Sequence, residues 1–230
     1  MDFLLVGILG SLWGSFANVC IYRLPLKGGV VKGRSFCPKC KKKIFWYENI
    51  PILSYLFLGG KCSKCKKKIS SQYLLVETIS TISFLIIYYF FGISLTSILL
   101  MILFLSFLII FFIDLKHYII PNILTFPMMV LGFVKSFDPN LNPIFPNYTN
   151  SLIGGIFGYL IIWTIILFYK KIRNKEGMGL GDAKLLAVIG FWFGWISIPF
   201  VIFLSSAIAL IIVIPDLLKK SKKLSSQIPF

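Results

Sequence analysis

Four cysteines and two aspartates are the residues of this chain whose types and spacing could do chemistry. Cys37 and Cys40 form one CxxC turn in FCPKCKKKI, and Cys62 and Cys65 repeat it in KCSKCKKKI. Zn²⁺ accepts four sulfurs tetrahedrally, and backbone amides and flanking lysines help to offset four thiolates. The spacing therefore predicts a zinc site, with iron or a disulfide pair as alternatives, the latter disfavoured in a reducing compartment. A four-sulfur site is closed, so its metal would build structure and would not activate water. Cys20, inside an apolar run, reads as a small packed side chain.

Asp114 follows the apolar run ILFLSFLIIFFI without a polar spacer, and Asp182 ends GMGLGD and opens the next apolar stretch. From Asp182 to Ser197 a helix would run about 24 Å, short of a hydrocarbon core of roughly 30 Å. Asp182 is therefore expected below the headgroups, where an ionisable group suggests function. Two carboxylates that share a water cannot both ionise cheaply, so one stays protonated as general acid while the other acts as base. Such a pair can hydrolyse a peptide bond without a covalent intermediate. Gly177, Gly179 and Gly181 would permit close backbone approach and unusual torsions, and Gly179 and Gly181 are expected to form a substrate-approach loop beside the acid. Each aspartate also has a structural alternative. Asp114 could pair with Lys116 at the interface, and Asp182 could cap its helix beside Lys184. His117 is the single histidine, and no GxSxG or HExxH element occurs, so serine and zinc hydrolases have little support.

The elements that must hold these residues are membrane helices. Of 230 residues 57% are hydrophobic and 14% charged, with a mean hydropathy of +0.87, which excludes a soluble globular chain and a disordered one. Apolar runs long enough to be read as spans occur at Phe3–Tyr22, Tyr73–Phe91, Leu95–Ile113, Tyr118–Val134, Ser151–Tyr169, Ala183–Ser197 and Pro199–Leu218. The sequence thus predicts an all-α polytopic membrane protein of about seven transmembrane helices with a zinc-knuckle loop. Its expected organisation is a first helix over 1–22, a cytoplasmic tetracysteine loop over 23–72 and a transmembrane core over 73–230.

Basic residues sort sharply across these spans: 23 of the 24 fall on one side of a seven-crossing chain whose N-terminus is outside, leaving Lys135 for the other. The first span lacks a basic leader segment and is expected to stay as an anchor. Small residues recur at four-residue spacing in Gly10/Gly14, Gly154/Gly158 and Gly190/Gly194. Glycine is common enough in membrane helices that each pair, taken alone, is first read as incidental. The loop from Arg23 to Lys68 carries 13 basic residues against the single acid Glu48. Beside anionic headgroups this charge points to the lipid bilayer or an acidic partner, and nucleic acid is not expected. Its IFWYENIPILSYLFLGG stretch is apolar and aromatic enough to lie in the interface.

GSFANVCIYRLP from Gly14, ENIPILSY between the cysteine pairs, QYLLVE ending in Glu77, DLKHYIIPN from Asp114 and GMGLGDAKLLAVIGFWFGW through Asp182 together resemble the type IV prepilin peptidase family, the bacterial GxGD aspartic membrane proteases. The likeness covers nearly the whole chain, in order. It implies cleavage of type IV prepilins and pseudopilins after a Gly that ends a short basic leader. The site would lie at the cytoplasmic face of the bacterial inner membrane, with Asp114 and Asp182 as the catalytic pair and 73–230 as the peptidase core. Members with the tetracysteine loop are typically bifunctional and also N-methylate the new N-terminus from S-adenosylmethionine. No GxGxxG follows a strand here, so the second activity rests on resemblance alone. The chain ends SSQIPF where the family usually continues IPFGPFLA into a last apolar helix, so an eighth helix is expected to be missing. The alternatives are another GxGD protease of preflagellin or presenilin type, against which the cysteine loop argues, a proton-coupled transporter, and a non-enzymatic zinc-ribbon adaptor.

Overall fold

The computed structural model describes residues 1–26, 35–37, 39–141, 144–173 and 179–218. Gly177, the basic group at 219–223 and the SSQIPF end lie outside them. The described residues form helices, turns and two isolated β-bridges, with no extended strand. The chain divides into two compact units, Met1–His117 and Tyr118–Phe230.

The first unit contains α1 (Asp2–Arg23), the one-turn α2 (Leu53–Phe57), α3 (Gln72–Phe91) and α4 (Leu95–His117). α1 lies along α3, and α4 packs on both. The glycines of α1 are not incidental: a Cβ on Gly14 would come 2.7 Å from Glu77 Cα, and one on Gly10 2.9 Å from Thr81 Cα. With the backbones so close, the Ser80 hydroxyl donates to the Gly10 carbonyl at 2.8 Å and the Asn18 amide donates to the Tyr73 carbonyl at 3.1 Å. Close backbone approach and interhelical hydrogen bonds replace the hydrophobic drive that lipid does not supply.

In the second unit α7 (Leu180–Phe193) packs against α5 (Asn122–Val134), α6 (Tyr148–Arg173) and α8 (Ser197–Leu218). Gly154 and Gly190 meet backbone to backbone, and a Cβ on Gly158 would sit 2.7 Å from the Leu186 carbonyl oxygen. Gly194 has a different task. It takes φ 81° and ends α7, its amide donating to the Gly190 carbonyl at 2.8 Å. The helix therefore stops before the Ser197 boundary expected from hydropathy, because the glycine adopts a conformation that other residues rarely reach. α5 likewise begins at Asn122 and not at Tyr118, since Tyr118 has φ 53° and Pro121 is extended.

Four helices, α1, α3, α4 and α6, are each long and apolar enough to cross a membrane, while 122–137 and 197–211 are shorter apolar stretches. Lys135, assigned by charge counting to the far side of the membrane, is buried, at 5% exposure. Its ammonium donates to the Trp192 carbonyl at 3.1 Å and lies 3.9 Å from the centre of the Phe145 ring.

The glycine contacts set a gradient of tolerance. Gly190→Val should destabilise the protein by about 2 kcal/mol or more through overpacking. Gly179→Ala, where nothing among the described residues lies closer than 3.7 Å, should leave thermal unfolding in detergent unchanged.

Candidate metal centre and aspartate motifs

Each CxxC turn is built the same way. The Cys37 amide donates to the Lys42 carbonyl at 2.9 Å and the Lys41 amide returns to the Cys37 carbonyl at 2.8 Å. In the second turn the Cys62 amide reaches Lys67 at 3.0 Å and the Lys66 amide reaches Cys62 at 2.9 Å. Lys41 and Lys66 both take left-handed torsions, φ 56° and 55°. Antiparallel bridges Phe36–Lys43 and Lys61–Lys68 close the two turns. The sequence repeat is thus a structural repeat.

The turns face each other so that all four sulfurs lie within 4.8 Å of one another, Cys37 Sγ being 4.0 Å from Cys65 and Cys40 Sγ 3.9 Å from Cys62. A tetrahedron with metal–sulfur bonds of about 2.3 Å has edges of about 3.8 Å, so the four thiols are positioned to hold one metal ion. The Cys65 and Lys64 backbone amides push the Cys62 thiol down to about 6, which favours a thiolate ready for a cation.

A cross-tie missed by the sequence reading joins the two turns. Lys42, on the first, donates to Glu48 at 2.9 Å and to Ser63, inside the second CxxC, at 2.8 Å. Hydrogen bonds from Ser63, Lys42 and the Phe45 amide hold the Glu48 carboxyl down to about 2. Its one available signal was being the sole acid in a strongly basic segment.

Asp114 sits in the penultimate turn of α4, half-buried, followed by Lys116 and His117. Asp182 is the third residue of α7, also half-buried. The Gly179 amide donates to Asp182 Oδ2 at 3.2 Å and the Asp182 amide donates to the Gly179 carbonyl at 3.2 Å, a reciprocal pair that closes the first turn. Asp182 therefore helps to cap the helix from its third position, while Gly179 and not Asp182 is the N-cap residue. Gly179 is extended, with φ −83°, so it does not use the torsional freedom expected of it. Gly181 does serve close approach: a Cβ there would stand 3.0 Å from Ile120 Cβ.

Lys184 strengthens the same junction by donating to Asn122 Oδ1 at 2.8 Å. The IIPN end of the first aspartate motif is thus fastened to the start of α7, within the second unit. Asp114 itself belongs to the first unit and Asp182 to the second.

A helical membrane protein with a tetracysteine loop between its first two long helices, and with a GLGD turn opening a short apolar helix, defines a narrow class. Residues 8–91 match the bacterial peptidase A24 N-terminal domain, and residues 101–214 match the type IV leader peptidase family. The chain belongs to that family. It is 34% identical to a prepilin leader peptidase/N-methyltransferase of Pseudomonas aeruginosa, over 97% of this chain and 83% of that protein. Proteins of the same description from Vibrio cholerae and Neisseria gonorrhoeae are 37% and 35% identical, each over 90% of this chain and over 84% and 79% of their own lengths. No solved structure matches the chain.

Elemental analysis of the purified full-length protein should find one metal ion per chain, and Cys37→Ser with Cys62→Ser should abolish it. Undiminished metal in the double variant would show that the ion is held elsewhere.

Proposed function

We propose that this chain is a membrane aspartic endopeptidase that removes the leader from type IV prepilins and pseudopilins, and that it also N-methylates the exposed N-terminus from S-adenosylmethionine. The observation that carries the reading is that both aspartates, each in its full motif, fall inside the stretch that matches the leader peptidase family. In this reading Asp114 and Asp182 form the catalytic pair, supported by the match of both motifs to the leader peptidase family. Residues 23–72 form the cytoplasmic loop and 73–230 the peptidase core.

The ionised aspartate takes a proton from water as its oxygen bonds to the scissile carbonyl carbon. The protonated partner gives its proton to the leaving nitrogen as the C–N bond breaks, which returns the pair to one shared proton. Gly179 leaves room beside Asp182 for an extended substrate backbone, while Gly181 admits Ile120 against the start of α7. Zinc is the metal proposed for Cys37, Cys40, Cys62 and Cys65. Those four thiols would fill its coordination, so it would hold the loop and supply no water-activating position.

S-adenosylmethionine would supply an electrophilic methyl group for the freed amine. Two surface concavities of the second unit are lined by Thr164, Phe168 and neighbouring α6 side chains, and by Phe145, Asn150 and Trp195 with their neighbours. Neither carries a carboxylate to hold a sulfonium, so no residue is assigned to the donor. The placement of the aspartates near helix ends disfavours an ion relay through mid-membrane. The cysteine loop disfavours preflagellin-type and presenilin-like proteases.

Asp114→Asn and Asp182→Asn should each lower prepilin cleavage by about a thousandfold or more while the protein still inserts and binds its metal. Mass spectrometry of the products reads cleavage and methylation together, and substantial cleavage by either purified variant would refute the dyad. The inner-membrane topology is tested by labelling single cysteines, which should place positions near Ile93 outside and those near Lys64 and Lys171 inside. Lys171 on the outer side would break the parity that puts both aspartates at the cytoplasmic face.

A further inference from the structure

Between the two CxxC turns the chain exposes a run of large apolar side chains that the metal centre does not use. Trp46 is 76% exposed and Phe57 86%, and Leu53, Leu56 and Phe57 share one face of α2 at helical spacing. On a water-facing loop such a face would be a liability. Its position along α3 gives the reason for it.

The Ile52 amide, at the start of α2, donates to Glu77 Oε2 at 2.7 Å. Glu77 is the sixth residue of α3, which puts it about 8 Å along that helix from its first residue. α3 has 20 residues, about 30 Å of helix, matched to the hydrocarbon core. A loop bonded at the depth of Glu77 has turned back toward the membrane. The contact is specific, because Ile52 holds φ 61°, a torsion that a β-branched residue adopts only when its surroundings require it. The Tyr55 hydroxyl, donating to the Ile69 carbonyl at 3.3 Å, ties the same turn to the second knuckle.

Glu48 within the segment is half-buried and paired with Lys42, and the exposed charge around this face is of one sign. Lys41 and Lys43 on the first knuckle and Lys66 and Lys68 at the matching places on the second are all exposed. Cations flanking aromatic and aliphatic side chains at the level of a helix end are the composition of an interfacial anchor on an anionic leaflet.

We infer that residues 45–57 form a re-entrant anchor seated in the bilayer, with Trp46, Leu53, Leu56 and Phe57 in the acyl boundary and the knuckle lysines on anionic headgroups. The occupant of the apolar face is lipid. This placement does not rest on the peptidase reading.

The test uses the full-length protein in phosphatidylcholine bilayers with and without about a third phosphatidylglycerol. The difference in emission between the wild type and Trp46→Phe isolates Trp46, and Phe57→Trp in the Trp46→Phe background gives a second reporter. Each variant is first checked for its metal. Lipids brominated near the headgroup end of the acyl chain should quench both reporters by about half, with aqueous iodide having little effect. Iodide should gain access to Trp46 when Lys41, Lys43, Lys66 and Lys68 are changed to Gln in the anionic bilayer. Free quenching by iodide with none by brominated lipid would overturn the inference. Protection that arises only when a leader peptide is added would also overturn it, by assigning the face to substrate.

Discussion

A helix that ends inside lipid must find partners for its terminal carbonyls, because no water is there to take them. α7 has 14 residues, about 21 Å, and falls well short of a hydrocarbon core of about 30 Å. The second unit is organised around meeting that demand. The Gly194 amide takes the Gly190 carbonyl, the Ser151 hydroxyl takes Phe191 at 2.7 Å, and the Lys135 ammonium takes Trp192. The Trp192 indole in turn donates to Met128 at 2.8 Å, over a Gly132 that has no side chain to obstruct it. At the opposite end Gly179 and Asp182 close the first turn on themselves. A short helix held at both ends is a fixed mount, and Asp182 is carried at its opening.

The same rule explains why so much of the fold was legible in the sequence and why some of it was not. Apolar length announces a helix directly: each of the seven expected spans corresponds to one, and among the described residues four of these are long and apolar enough to cross a membrane. Two equal CxxC segments suggest their own pairing, since four thiols brought together suit one metal ion. Lys135 shows the limit. The positive-inside rule counts charges by loop and carries no information about what a lysine touches, so a buried ammonium over an aromatic ring looked like an ordinary loop charge. Gly194 belongs to a four-residue pair whose spacing reads as incidental, whereas its positive φ makes it a stop. Spacing reports which residues share a face but not where a helix ends on that face.

The candidate site was legible in its residue types and less so in its supports. The two aspartates and the four cysteines stand out because their chemistry is rare in an apolar chain. Ile120 against Gly181, Asn122 with Lys184, and Glu48 beneath Lys42 are ordinary residues whose roles come from a partner far away in sequence. Asn122 and Lys184 are 62 positions apart. No local pattern encodes such a contact.

The metal centre has a further reason to exist, visible in what the loop lacks. Among the described residues between 35 and 71 the buried positions are Cys37, Gly60 and Cys62, two thiols and a glycine. A segment this size with no hydrophobic core cannot offset the entropy of ordering its backbone by burial. Most of its large apolar side chains are exposed. What remains is the four-thiol cluster, the Lys42 cross-tie and the Glu77 tether to α3. The cross-tie is half-buried and charged, and a pair of that kind contributes little alone. The tether fixes one turn. A metal ion held by the four thiols would join both halves of the loop with a free energy large enough to fold it, which would allow the aromatic segment to remain outside any protein core.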